Sequence, residues 1–124
     1  VERVAFIDMI SLFDYMAERM ASVIENLTVF PKLMLRNIAL TGGAVYSQRV
    51  LTALIAKGMI REEAYDLIQP FAMAATQGGT PFIDALKSST KVTSLLSEQE
   101  IDGLFTNDFY LRHVDEIYAR VGLE

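Results

Sequence analysis

The sequence predicts an all-α protein, a long helix from a larger helical bundle followed by a small helical domain. Three observations carry that prediction. No segment sustains the two-residue alternation of Val, Ile and Thr that marks a strand. The stretch from Val4 to Asn26 contains neither Gly nor Pro and carries apolar residues at most registers of a helix. Beyond it, Gly, Pro and capping residues punctuate the chain at short-helix intervals.

The first helix is expected over about Val4 to Asn26. Its apolar residues, among them Phe6, Ile7, Met9, Ile10, Leu12 and Phe13, project around most of the circumference and not along one stripe. A helix apolar on most sides is buried on most sides. That suits a helix enclosed by others. Pro31 fits the first turn of a short second helix ending near Leu40, because a first-turn residue needs no N–H partner. Thr41-Gly42-Gly43 is a break. A third helix is expected from Ala44 to Lys57, with Val50, Leu51, Leu54 and Ile55 at core spacing and Gly58 as its stop.

Arg61-Glu62-Glu63 opens a fourth helix, its first-turn acids complementing the helix dipole. Pro70 is expected to kink or divide it, and Gln77-Gly78-Gly79 ends it. Thr80-Pro81 starts a short helix through Leu86. Lys87 to Ser94 is polar and rich in Ser and Thr, and the pattern leaves its structure open. Ser97 and Glu100 stand at capping-box spacing, starting a helix that ends near Gly103. A single final helix is expected from Asn107 to Val121.

Composition narrows the function. The chain has 124 residues, of which 52% are hydrophobic, and a mean hydropathy of +0.28. A domain this small buries a limited share of its surface, so the apolar surplus points to a partner chain. With 16 acidic and 11 basic residues the net charge is -5, which opposes nucleic-acid binding and attachment to an anionic membrane. Asp8, Asp14, Glu18, Arg19 and Glu25 interrupt the first helix and argue against a membrane span. The absence of cysteine removes disulfide and thiolate chemistry and fits a cytoplasmic location. The chain does not begin with Met and is expected to be a piece of something longer.

Few residues carry chemistry. His113 is the one imidazole, either a general base or a helix-surface histidine beside Asp115 and Glu116, and the second reading is simpler. Glu62, Glu63 and Asp66 belong to a helix start, and Glu98, Glu100 and Asp102 to the capped turn, so no metal set is expected. Gly42-Gly43 and Gly78-Gly79 continue into no phosphate-loop motif. Ser47, Gln48 and Arg49 form a polar group on an otherwise apolar helix, suited to pairing between helices or to closing a site. Arg3 is a surface arginine or a forked ligand for an oxyanion.

Several stretches resemble the end of the adenylosuccinate lyase family, within the fumarase/aspartase superfamily. They run in order from Glu2-Arg3-Val4 through Asp14-Tyr15-Met16 to Glu25-Asn26-Leu27-Thr28-Val29-Phe30-Pro31. Tyr46-Ser47-Gln48-Arg49-Val50-Leu51, Arg61-Glu62-Glu63-Ala64-Tyr65 and Tyr110-Leu111-Arg112-His113-Val114-Asp115 continue the likeness over nearly the whole chain.

The resemblance implies residues 1–28 as the last helix of a central bundle domain and 29–124 as a C-terminal helical domain. It also implies a homotetramer, a nucleotide substrate and no metal or organic cofactor. The implied reaction is elimination of fumarate from adenylosuccinate and from succinylaminoimidazole carboxamide ribotide in purine biosynthesis. The family's catalytic serine lies on a Met-Pro-x-Lys-x-Asn-Pro loop and its functional histidines lie in earlier domains. None of those motifs occurs in these residues, so no catalytic residue is expected here and the chain alone should be inactive. Arg3 is the one substrate-binding residue the resemblance implies. After it, family members often carry Pro-Asp-Ser or Pro-Asp-Ala where this chain has Ile7-Asp8-Met9, with no hydroxyl at that point. A cycloisomerase of the carboxymuconate type and a non-enzymatic helical interaction domain are the alternative readings.

Overall fold

The computed structural model describes the backbone of residues 2–123 and the side chains of residues 4–123. All regular structure among them is helical, and the chain forms two compact units, Val1–Lys32 and Leu33–Glu124.

The first unit is one helix and the turn after it. Helix α1 runs Glu2–Glu25 and ends where Asn26 Nδ2 turns back to donate to Ser22 O at 2.8 Å. Apolar side chains stand exposed around most of it: Tyr15 is 57%, Leu12 59%, Met9 65%, Phe6 62% and Ile7 66% exposed. A unit made of a single helix has nothing of its own to bury such a circumference against. Helix α2, Pro31–Ala39, begins at the expected proline and likewise exposes Leu33, Met34 and Leu35.

The second unit contains the core. A 3₁₀ turn (Ala44–Tyr46) leads into α3 (Ser47–Ala56), and α4 (Arg61–Thr76) packs against it. Short helices α5 (Phe82–Ser88), α6 (Thr90–Thr93) and α7 (Glu98–Leu104) close the core. Val50 and Leu54 of α3, Phe82 and Leu86 of α5, Val92 of α6 and Ile101 of α7 are fully buried together, with Ala64 and Ile68 of α4. The i, i+4 spacing of these pairs puts each pair on one helix face.

Both long core helices end on glycine. After α3, Gly58 N donates to Ile55 O at 2.9 Å and Met59 N to Leu54 O at 3.1 Å; after α4, Gly78 N reaches Ala75 O at 3.2 Å and Gly79 N reaches Ala74 O at 2.9 Å. This paired pattern satisfies carbonyls that the helix leaves free. Gly42-Gly43 does more than separate helices. Gly42 has φ +58°, and a Cβ there would stand 2.8 Å from Ala75 O. Its own carbonyl accepts from Phe82 N at 2.9 Å. The backbone therefore passes close to the end of α4 and anchors the start of α5.

Two sequence expectations need correction, and one stretch that the pattern left open takes a definite form. Pro70 does not divide α4, which is continuous through it. Pro70 and Asp66 both lie on the exposed side of α4, while the buried Ala64, Ile68 and Ala75 hold the helix on either side of the proline. The Ser/Thr-rich stretch left open is helical, α5 continuing to Ser88 and α6 following. Its hydroxyls bond locally, Ser88 Oγ to Asp84 O at 2.8 Å and Ser94 Oγ to Lys91 O at 2.9 Å, and Val92 anchors it in the core. The single final helix is two, α8 (Asp108–Leu111) and α9 (Val114–Arg120). The Arg112 guanidinium donates back to Phe109 O, and His113 lies outside helical geometry at φ -111°, ψ 5°.

The capping box forms as expected, with Ser97 Oγ accepting from Glu100 N at 3.3 Å and Ser97 N donating to Glu100 Oε2 at 2.8 Å. Lys57 Nζ lies 2.7 Å from Glu100 Oε1. The bond from Lys57, then those from Ser97, lower the Glu100 carboxyl from an ordinary 4.5 to about 2. A depressed folded-state value means that the stabilisation is present above pH 4.5 and is lost as pH falls from there toward 2. Glu100→Gln is therefore expected to lower the thermal midpoint at neutral pH, with the gap to the parent closing as pH drops through that window. A gap that stays constant on acidification would show that the charged pair contributes nothing.

Candidate functional site

The residues singled out by sequence are spread over the two units. Arg3 lies on α1, and its side chain falls outside the described residues. Asp8, one turn or more further along α1, is exposed. Ser47, Gln48 and Arg49 open α3 in the other unit and point to different surroundings. His113, at the break between α8 and α9, has a side chain 62% exposed with Nδ1 3.3 Å from Glu116 Oε2. Glu116 also pairs with Arg120 at 2.6 Å. No hydroxyl or thiol nucleophile stands against the imidazole among the described contacts, so the arrangement is that of a helix-surface histidine. Among the described residues no three His, Asp or Glu side chains converge as metal ligands.

Ser47 and Gln48 edge a cleft of about 390 Å³ between the start of α3 and α4, floored by Leu51, Ile68 and Ala72. The cleft is largely apolar and carries no charged side chain. It offers shape and a few amide or hydroxyl contacts, not acid–base chemistry.

Arg49 turns toward the α7–α8 connection. Its Nη1 donates to Leu104 O at 2.7 Å and to Thr106 O at 3.2 Å, and its guanidinium lies 4.4 Å from the centre of the Phe109 ring. Beside it Tyr46 Oη donates to Asn107 Oδ1 at 2.8 Å, and the Tyr46 ring packs 5.2 Å from Phe105. Together these bonds tie the beginning of α3 to the last part of the chain, 55 or more residues away in sequence. Arg49 thus has a structural task, the pairing between helices that its position on an apolar helix suggests. Sequence reasoning missed Tyr46, Asn107 and Phe109. Each is unremarkable in its own neighbourhood, and only the fold brings them together.

The second unit nearly coincides with a known family domain. The family described as adenylosuccinate lyase C-terminus matches residues 43–121. Over 122 residues the chain is 43% identical to an adenylosuccinate lyase of Streptococcus mutans serotype c and 44% identical to one of Bacillus subtilis. Each match covers 98% of this chain and 28% of the relative, so the chain spans little more than a quarter of the proteins it resembles. The likeness extends through α1, beyond the family domain, and the helix start at Pro31 and the cap at Ser97 are in place. This chain belongs to the adenylosuccinate lyase family and corresponds to its C-terminal region.

Proposed function

We propose that this chain is the C-terminal part of an enzyme that eliminates fumarate from adenylosuccinate and from succinylaminoimidazole carboxamide ribotide. The observation that carries the reading is identity of 43–44% along 98% of the chain to two proteins named adenylosuccinate lyase. Neither relative is named a cycloisomerase. In the elimination a base removes a proton beside a carboxylate, an acid protonates the departing nitrogen, and fixed donors hold the extra negative charge. This chain supplies neither acid nor base. Its one histidine is exposed and engaged with Glu116, and it carries no Met-Pro-x-Lys-x-Asn-Pro loop.

Its contribution to the site is Arg3, held at the entry of α1, whose guanidinium suits a substrate phosphate or carboxylate. Residues 1–28 serve as the closing helix of a central bundle and 29–124 as the C-terminal domain, in a cytoplasmic homotetramer. The exposed circumference of α1 supports that placement, since a bundle is what such a helix requires.

Two measurements test the proposal together. The 124-residue chain by itself should release no fumarate from adenylosuccinate. In the full-length enzyme, Arg3→Ala should lower kcat/KM by roughly 10- to 100-fold, the value of a charge-assisted contact. Turnover by the isolated chain would overturn the division of labour, and unchanged kinetics would remove Arg3 from the site.

A further inference from the structure

Residues 107–123 are bonded mainly to themselves. No side chain of α8 or α9 is buried. Among the described residues, no backbone hydrogen bond joins this segment to the core. Its turns close within it, Tyr110 N on Asn107 O, Ile117 N on His113 O and Leu123 N on Tyr118 O. Its ion pairs are internal as well, Glu116 meeting both His113 and Arg120. Arg112 stacks on Phe109 from inside the segment, 3.8 Å from the ring centre. The bonds and ring contacts that reach back to α3 and the turn before it are gathered in the first four residues. Tyr46 Oη donates to Asn107 Oδ1 at 2.8 Å, the Arg49 guanidinium lies 4.4 Å from the Phe109 ring centre, and the Tyr110 ring stands 6.2 Å from that of Tyr46. The attachment point just before them is firm. Phe105 packs on the core, and Arg49 Nη1 holds the carbonyls of Leu104 and Thr106.

A segment that buries little and bonds mainly to itself opens at a lower free energy than the core beside it. Helices α8 and α9 have four and seven residues, too few to persist in water without a surface to lie on. Release and unravelling are therefore one event. In the closed form Phe109 and Tyr110 make one wall of a cleft of about 440 Å³, and Thr52, Ala53 and Ala56 of α3 make the other. We propose that residues 107–123 are a strap that opens and closes over this face of α3 while the core stays folded, with Tyr46 and Arg49 as its latch. Opening removes the Phe109–Tyr110 wall and bares the α3 face from Gln48 to Ala56. The device rests on these contacts alone and is independent of the lyase reading and of Arg3.

The test is hydrogen exchange of the 124-residue chain, resolved amide by amide. Corrected for intrinsic rates, the α9 amides from Ile117 to Arg120 should exchange at least about tenfold faster than those of Val50, Leu51 and Leu54 in α3. Tyr46→Phe removes the latch hydroxyl and keeps the ring, and should speed the strap amides by about three- to tenfold. Asn107→Ala removes the acceptor instead and should have the same effect. Val92 is fully buried in the core, so Val92→Ala should speed the α3 amides by about tenfold or more and leave the strap amides at the parent rate. Strap and core exchanging at one rate, or strap amides that accelerate with Val92→Ala, would show a single cooperative unit. Strap amides indifferent to both latch substitutions would show that fraying within the segment sets their exchange. Any of these results overturns the proposal.

Discussion

Phe82→Ala is expected to cost about 3–5 kcal/mol of the stability of the Leu33–Glu124 unit, the range for truncating a fully buried aromatic. Phe82 opens α5 and is 0% exposed. Its ring lies 5.8 Å from that of Phe105, and its backbone N–H is the donor that fastens α5 to the Gly42 carbonyl. The α4–α5 connection, the glycine pair and the end of α7 therefore meet around this one side chain. Small domains hold about 5–15 kcal/mol in total, so the loss takes a large share. Urea denaturation followed by circular dichroism measures the effect. Tyr65→Ala, at a site 50% exposed on α4, is the control and should cost under about 1 kcal/mol. A loss below about 1.5 kcal/mol at Phe82 would place the centre of the core elsewhere.

In dilute solution the chain is expected to self-associate, with a light-scattering mass at least double that of one chain. The cause is α1. Val4, Phe6, Ile7, Met9 and Ile10 are each more than 60% exposed, and Met16, Met20, Val23 and Ile24 continue the apolar surface down the helix. Contiguous apolar surface of this extent is rare on a monomer and drives association at roughly 25 cal/mol per Å² buried. Introducing Glu at both Ile10 and Phe13 should restore a single-chain mass, because burying two unpaired carboxylates opposes contact on that face. A monodisperse single chain in the parent sequence would mean that α1 needs no covering, and the bundle placement of residues 1–28 would lose its physical basis.

How much of this was legible beforehand depends on the range over which the governing interactions act. Helix starts and stops are local. Pro31 at a first turn, Gly58 and Gly78 after helix ends, and the reciprocal bonds of Ser97 and Glu100 each involve residues within five positions of one another. They were readable for that reason. The division of α4 at Pro70 did not occur because buried Ala64, Ile68 and Ala75 hold the helix on both sides of the proline, and the local sequence does not show that burial. The Lys87–Ser94 stretch was unreadable because Ser and Thr hydroxyls close helical turns as readily as loops, and the choice was made by the burial of Val92. The last helix broke between Leu111 and Val114, beside the bond from Arg112 to the Phe109 carbonyl, and periodicity does not register such a break. The proposed substrate contact, Arg3, was reached through resemblance to the family, and its side chain lies outside the described residues.

By itself the sequence determined an all-helical chain, the positions of most helix ends, the apolar circumference of α1 and, through its motifs, the family. Those properties are written in spacing and in short-range chemistry, which survive without knowledge of what packs on what. Tertiary structure alone decided that Arg49 serves the α7–α8 connection and not the cleft at Ser47 and Gln48, that Gly42 must lack a side chain to pass Ala75, and that Arg49 and Arg112 share the ring of Phe109. Each of these joins residues far apart in the chain, and such pairings are set by the packing of the whole unit.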